Sequence, residues 1–562
     1  MYVKENRKQR INYMKPQILI VIPLRGGSKG IPKKNLRLLN GKPLLTYVLN
    51  NAFFVASQEQ WETKVVVDTD DSEIEEISCM YGAKVIRRPK ELADDNITLD
   101  PVIYHAVKEL ENKNDEKYDI VITMQATSPT LKSGTIKKAI EVFLENDSYE
   151  TMISGVNKPH LSWTVVDGAT IPNYEKRLNR QKLPVHLEET GGFLITKREC
   201  ITKNQRIGKT VTVFEVPEKE AIDIDSELDW KICESVLNSK RIILRADGEE
   251  CLGMGHIYRV LSIAYHLVGH DVLFVTNQTY RMGAERLKES FFAVKYITDN
   301  NEIFEIIDEF KPDIVVNDIL NTDKEYMIRM KRQVSRVVNF EDRGEGASYA
   351  DAVINALYEQ NDNLNTYSGF KYFFIRDEFL TVKPKEFSET VKNIVVLFGG
   401  SDPSNMTQII YDIWKEIADD YPNIDLHIIT GFGYKYKNEI KSDGKYNIYI
   451  HNDVKRVSKY LAEADMAITS QGRTIFEIAC MGVPAIVLAE NTRELTHVFA
   501  GFENGFINLG LGREQESETI KSTIEWLIRT SNVRRQMRDL LLDKDFQGGQ
   551  KRVLSLILGE NE

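Results

Sequence analysis

Short apolar runs alternate with helix-like segments along the whole chain. That alternation predicts an α/β fold built on parallel sheets. In the first part, "QILIVIP", "TKVVVDTD", "AKVIRRP" and "YDIVITMQ" predict strands, with "PLLTYVLNNAFFVA" and "DPVIYHAVKELENK" as intervening helices. Asp100 is expected to cap the second helix, with Pro101 in its first turn. The pattern restarts near residue 240, where "KRIILRADG" predicts a strand and loop and "HIYRVLSIAYHLVGH" a helix. "DVLFVTN", "PDIVVND" and "SRVVNFED" continue that series as strands, and "KNIVVLFGG", "IDLHIITG", "DMAITS" and "PAIVLAE" form a third. The pattern therefore predicts a tail at 1–16, one α/β domain at 17–237, and two Rossmann-like halves at 241–378 and 388–562.

Composition narrows the partners. A chain of 562 residues exceeds one ordinary core. A formal net charge of −11 excludes a general nucleic-acid binder, since no basic excess is available to neutralise phosphates. No run approaches the length of a membrane span, and the basic start "MYVKENRKQRINYMKP" lacks the apolar core of a signal peptide. Neither nucleic acid nor membrane is expected as a partner. Cys79, Cys200, Cys233, Cys251 and Cys480 show no metal-like spacing, so free thiols and a cytoplasmic location are expected.

Against this acidic background, "IPLRGGSKGIPKKN" (22–35) concentrates cations in a glycine loop directly after a strand. Gly26 and Gly27 would let a ligand approach exposed backbone N–H groups, and Arg25, Lys29 and Lys34 would add charge-assisted contacts to a polyphosphate. The spacing is not that of a Walker loop, and a lysine-rich surface turn is the competing reading. "AIDIDSELDW" (221–230) supplies a second clue. In extended chain Asp223 and Asp225 face one side and can present two carboxylates to a Mg²⁺ ion. Acidic residues before a helix explain Glu227 and Asp229 equally well.

Taken in order, "IPLRGGSKGIPKKNL", "VVVDTDD", "RRPKELADD", "MQATSP", "NRQKLP" and "IDIDSELD" resemble the acylneuraminate cytidylyltransferases over about 220 residues. The resemblance implies CTP held by Arg25, Gly26, Gly27, Ser28 and Lys34, with Arg88 and Gln125 also lining the nucleotide site. It implies a catalytic magnesium on Asp223 and Asp225, and a homodimer. The implied reaction is attack by the anomeric hydroxyl of a nine-carbon keto-acid sugar (a nonulosonic acid) on the α-phosphate of CTP, releasing pyrophosphate. Arg25, Lys34 and Asp225 would take part in catalysis. Where many sialic-acid members carry Arg-x-Asn-Gly after "RQKLP", this chain has "HLEETGGFLIT". Gln181, Glu189, Thr190 and Gly191 are thus expected to face the sugar, and a bacterial relative such as legionaminic or pseudaminic acid fits that departure.

In the second half, "RADGEECLGMGHIYR" (245–259) reads as strand, glycine loop and helix, with His256 at the helix start. There the helix dipole favours a neutral imidazole, a base candidate, although a helix-start histidine with no ligand is the simpler reading. "FGGSDPSN" (398–405) and "SQGRTIFEIACMGVPAIVLAEN" (470–491) each read as a strand end, a loop and a helix N-terminus, which are anion sites. Residues 241–562 resemble the UDP-sugar hydrolase of the pseudaminic acid pathway and its glycosyltransferase-B-like relatives. That resemblance implies a UDP moiety held by Gly399, Gly400, Ser401, Gly472, Thr474 and Glu477, with Glu477 near ribose hydroxyls. It also implies water attacking C1 of a UDP-amino-sugar with His256 as base. A glycosyltransferase with another acceptor, or a non-catalytic binding or oligomerisation module, are the alternatives.

Overall fold

The computed structural model describes residues 15–27, 30–94, 96–114, 116–248, 254–359 and 364–560. Ser28, Lys29 and Cys251 lie outside them. The chain divides into two compact units, Met1–Asn238 and Ser239–Glu562.

The first unit is a seven-stranded mixed sheet. Its order is Val211–Glu215, Thr151–Asn157, Leu187–Lys197, Ile120–Met124, Gln17–Pro23, Glu62–Thr69 and Lys84–Arg87. The strand Leu187–Lys197 runs antiparallel to both neighbours, and the other pairings are parallel. Gln17–Pro23 is central because it is apolar on both faces. Ile18, Ile20 and Ile22 enter the core that includes helices Leu45–Ala56 and Ser133–Leu144, while Leu19 and Val21 meet helix Leu99–Asn114. Asp100 is not a cap. The helix starts at Leu99, two residues earlier than a cap at Asp100 would put it, which places Asp100 in the first turn, where its carboxylate pairs with Arg206 at 3.1 Å.

The second unit holds two all-parallel sheets. The first runs Ala293–Ile297, Asp271–Asn277, Arg241–Ala246, Ile314–Asp318, Arg336–Phe340, Ala352–Asn355 and Thr366–Ser368. The second runs Ile448–Asn452, Asp425–Thr430, Asn393–Leu397, Met466–Thr469, Ala485–Ala489 and Phe506–Leu511. One boundary differs from the sequence expectation. Helix Gln547–Leu558 belongs with the first sheet: Val553 and Ile557 are fully buried in its core, and Arg336 bonds the Leu556 carbonyl at 2.6 Å. The apolar stripe of this helix matches the first sheet's open face, whatever its place in the chain.

Candidate functional sites

In the first unit the carboxyl ends of the central strands converge on one place. Lys34 Nζ donates to the Ile224 carbonyl at 2.6 Å and lies 3.8 Å from Asp225 Oδ1. The Ile224 N–H donates to the Thr127 carbonyl at 2.8 Å, which lays the 223–225 segment beside Gln125. Gly191 has φ +66°, and a Cβ there would stand 2.7 Å from Asp223 Oδ2 and 3.4 Å from Gln125 Nε2. A side chain at 191 is thus disfavoured by backbone and by space alike. A Cβ on Gly30 would meet the Asp225 carbonyl at 2.8 Å, so Gly30 packs against the Asp225 backbone. Lys34, Gln125, Gly191, Asp223 and Asp225 therefore form one site.

The four acids near that site divide by task. Asp229 caps helix Glu227–Leu237 reciprocally with Ser226, and those hydrogen bonds lower its pKa. Glu227 is in the first turn of the same helix. Asp225 projects outward, its side chain 82% exposed. Asp223 is the unusual one. Its Oδ1 is buried with no hydrogen-bond partner among the described residues. Burial, and then the Asp225 charge, raise its pKa against the opposing Thr127 hydroxyl and Lys34 ammonium. An orphaned carboxylate oxygen beside a second, exposed carboxylate fits a hard cation that shares its remaining coordination with water and phosphate. Among the described residues no group of three or more His, Cys, Asp or Glu could hold a metal ion.

Several expected contacts are corrected here. Arg88 is a buried strut: its Nε pairs with Asp68 Oδ1 and its Nη2 bonds the Asp68 carbonyl at 2.9 Å. Thr190 faces inward, donating to Ser154 Oγ at 2.9 Å, so the hydroxyl is not turned to a sugar. The Gly26 N–H, expected to be open, donates to Asp70 Oδ1 at 3.0 Å because two aspartates follow the neighbouring strand. Gly27 is exposed, and the carbonyl of Arg25 accepts from Asn35 at 2.9 Å. Gln181 lies in the exposed turn Arg180–Lys182 and Glu189 on an exposed strand end, two residues before Gly191.

The second unit carries a polar cavity of about 470 Å³ at the carboxyl end of its first sheet. Asp247, His256, Asn277, Asn300, Asp318 and Asn321 contribute to its wall. Arg245 clamps Asp247 through two bonds of 2.6 and 2.7 Å. Beside it, His256, Asp318, Arg259, Glu341 and Arg473 form a buried charge network. Burial opposes the ionisation of Asp318 and Glu341, but Arg259 and its neighbours overcome it and hold both below the usual carboxylate range. Glu341 and Leu320 both adopt left-handed backbone, φ +52° and +68°, a strain that persists where the surroundings over-determine it. The sequence reading singled out His256 alone. Acids ending parallel apolar strands, as in "IVVND" and "VVNFED", were the signal for Asp318 and Glu341.

In the second sheet, both expected anion sites already hold carboxylates. Asp402 accepts from the Met406 and Thr407 N–H groups at 2.8 Å each, so the amides opening helix Met406–Ile417 are occupied. The Gln471 N–H, between Ser470 and Gly472, donates to Glu494 Oε2 at 3.1 Å. Glu490 is pushed up to about 9 by burial and by the Glu494 and Asp402 charges. Glu477, expected at ribose hydroxyls, instead holds Arg376 Nε at 2.8 Å. Gly399, with φ +71°, has nothing within 4 Å of a Cβ, while Gly400 packs against Met254 and Ser401 is buried. Thr474 opens the short helix Thr474–Cys480.

Residues 19–205 match the cytidylyltransferase family. The chain is 31% identical over 232 residues to post-translational flagellin modification protein B of Campylobacter coli, covering 40% of this chain and 97% of that one. It is 40% identical over 131 residues to pseudaminic acid cytidylyltransferase of Campylobacter jejuni, covering 23% of this chain and 54% of that one. The chain spans about half the length of several curated relatives it matches. A crystal structure of Acinetobacter baumannii MurG matches with a TM-score of 0.43 and 15% identity, covering 57% of this chain and 99% of that one. No described helix is long and apolar enough to cross a membrane.

Proposed function

The chain belongs, through its first unit, to the cytidylyltransferase family, and from that premise we propose that this unit transfers CMP from CTP to a nonulosonic acid, releasing pyrophosphate. The observation that carries the reading is the orphaned Asp223 Oδ1 beside Asp225, Lys34, Gln125 and Gly191. Mg²⁺ fits the two carboxylates; when bound it would supply charge stabilisation at the phosphates. Lys34, anchored on the Ile224 carbonyl, places an ammonium over the same point, and the Arg25 loop adds a second cation. Gly191 leaves room for a ligand to approach Asp223 and Gln125. Glu189 and Gln181 are the residues read as influencing which sugar is taken, with legionaminic and pseudaminic acids as the class; the exposure of both supports that reading. The exposed hairpin Trp163–Val166 and Ala169–Pro172 presents Trp163, Val165, Val166 and Ile171, which suits a second copy of the chain and a homodimer in the cytoplasm.

For the second unit the reading is hydrolysis of a UDP-amino-sugar, with His256 as the base. The cavity beside His256, already supplied with paired carboxylates and three asparagines, supports a polyhydroxyl ligand there. The test incubates the full chain with CTP, Mg²⁺ and a panel of nonulosonic acids, scoring pyrophosphate and CMP-sugar. A parallel series uses UDP-amino-sugars with and without a sugar acceptor, which separates hydrolase from glycosyltransferase. Asp225→Ala is expected to lower CMP transfer by about a hundredfold or more, and EDTA to abolish it. Full activity in either condition removes the metal assignment.

A further inference from the structure

Strand Ile448–Asn452 is an edge of the second unit's second sheet, paired in parallel with Asp425–Thr430. The register sets His427 opposite Tyr449, so His427, Tyr449 and His451 share a face. Both histidines are half-buried, and neither belongs to the two sites described above. His427 Nδ1 and His451 Nε2 stand 3.1 Å apart while the ring centres are 5.4 Å apart, so both nitrogens lie near the line joining the rings. That is a single N–H···N hydrogen bond. The other nitrogen of His451, Nδ1, is 3.3 Å from the Tyr460 hydroxyl, supplied by helix Ser458–Glu463. Tyr449 stacks on His427 with ring centres 5.3 Å apart.

Such a bond holds one proton between two nitrogens. A neutral pair keeps it, and so does a pair with one imidazolium, because the neutral ring still offers a lone pair. A second added proton sets N–H against N–H, with two like charges facing each other. Burial lowers the pKa of His427 against the opposing Asp425 charge, and burial and then the His427 charge lower that of His451. The other packed elements bring little to offset a second charge. Strand Asn393–Leu397 places Val395 beside His427, and the groups in ring contact are the phenols of Tyr449 and Tyr460. Asp453, Lys455, Arg456, Lys459 and Glu463, on the neighbouring loop and helix, are exposed to water. The helix is anchored apart from the histidines: the Ser458 N–H donates to Glu378 at 3.0 Å, and Lys385 donates to the Glu463 carbonyl at 2.8 Å. The edge strand is not. Ile448 is buried in the core, but beyond the backbone pairing the outer end relies on the histidine bond, Tyr460 and a 2.6 Å bond from the Thr430 hydroxyl to Asn452.

We propose that the His427–His451 bond is an acid-sensitive latch on this sheet edge: it closes the outer end of strand Ile448–Asn452 while at most one imidazole is charged, and releases it when both are. Folded, each imidazole is harder to protonate than in the unfolded chain, where the value is about 6.5. The stability that the latch contributes is therefore full above about pH 6.5 and is lost as pH falls through the lower folded values. Strand Asp425–Thr430 continues into Gly431–Gly433, where the Gly433 N–H donates to the Gly400 carbonyl at 2.9 Å, so the latch is joined by backbone to the Gly399–Ser401 loop.

The experiment measures amide hydrogen exchange in the full chain from about pH 7.5 to about pH 5, comparing residues 448–453 with strand Asn393–Leu397 of the same sheet. The ratio cancels whatever destabilises the unit as a whole. Corrected for intrinsic exchange, the relative protection of 448–453 is expected to fall by about tenfold or more across that range. The double variant His427→Gln/His451→Gln, with neutral amides, is expected to remove the pH dependence. A ratio that stays constant in the unmodified chain overturns the proposal, and so does a pH dependence kept by the folded double variant. If the double variant fails to fold, NMR of the unmodified chain labelled with ¹³C and ¹⁵N in its histidines decides. The pair is expected to titrate in two steps, the second about one pH unit or more below the first. A common midpoint for the two rings overturns the latch.

Discussion

The two sites handle buried carboxylates in opposite ways. In the first unit Asp223 is half-buried, with its Oδ1 buried and unpartnered among the described residues, and its neighbour Asp225 adds repulsion. In the second unit Asp318 is buried more deeply, yet both of its oxygens are taken by Arg259 and one is shared with His256. A buried charge left unsatisfied is unfavourable in the apo protein and persists where a ligand completes it. A buried charge fully satisfied by its own chain is a scaffold. The contrast teaches that the first site leaves a carboxylate oxygen open, as the Mg²⁺ proposed for it requires, whereas the second surrounds its histidine with protein groups alone.

Three variants press on this comparison. The largest expected effect is on Asp223. Asp223→Asn removes the unsatisfied charge, so CMP transfer should fall by about 10²–10⁴-fold while the melting temperature of the first unit holds or rises by about 1–3 °C. A fall in both would mean that Asp223 is structural. Next, Arg259→Ala leaves Asp318 and Glu341 buried without their main counter-charge, and should destabilise the second unit by about 3–5 kcal/mol in urea unfolding. A loss below about 1 kcal/mol would show that the network is not what holds those acids.

The smallest effect concerns Glu490, which lies between these extremes. In the folded chain it keeps its proton up to about pH 9, whereas an unfolded glutamate loses it near about 4.3. Folding therefore retains a proton throughout that window, and the stability this group contributes is full below the unfolded pKa and is lost as pH rises toward about 9. Glu490→Gln, which imitates the protonated form, should raise the melting temperature by a few degrees at pH 8.5 and leave it unchanged at pH 4.5. Melts at both values check the sign.

Much of the fold was legible because the central strands are continuous apolar runs. "QILIVIP" and "KRIILRA" have no other economical place than the middle of a sheet. The edges were less visible. "HLEETGGFLIT" has no such continuous apolar run, yet from Leu187 onward it is the antiparallel strand that returns across the sheet, with a register shift between Glu189 and Leu194. That shift turns Thr190 inward while Gly191 stays at the site. In the first site, Lys34 and the aspartate pair stand out in the sequence, and the structure brings Lys34 to 3.8 Å from Asp225. The occupation of Gly26 by Asp70 and of Arg88 by Asp68 was not legible, because both depend on loops meeting across the sheet. The network around His256 was hidden for the same reason. Asp318 and Glu341 come together through pairing of neighbouring strands, and Arg473 reaches Glu341 from a loop of the second sheet, more than a hundred positions further along the chain.

Helix Gln547–Leu558 gives the second unit a particular order of assembly. The first sheet's core takes Val553 and Ile557 from residues made some 180 positions after its last strand, Thr366–Ser368. During synthesis at about 5–20 residues per second, that sheet waits on the order of ten seconds or more with part of an apolar face, the part that helix Gly255–His266 does not cover, still open. Over that interval the whole second sheet emerges and can fold. The first sheet is started early and sealed late, so the nascent chain is most exposed to chaperones and to misassociation while residues 369–546 are being made. Within the second unit, the last helix works as a fastener for a core begun near residue 241.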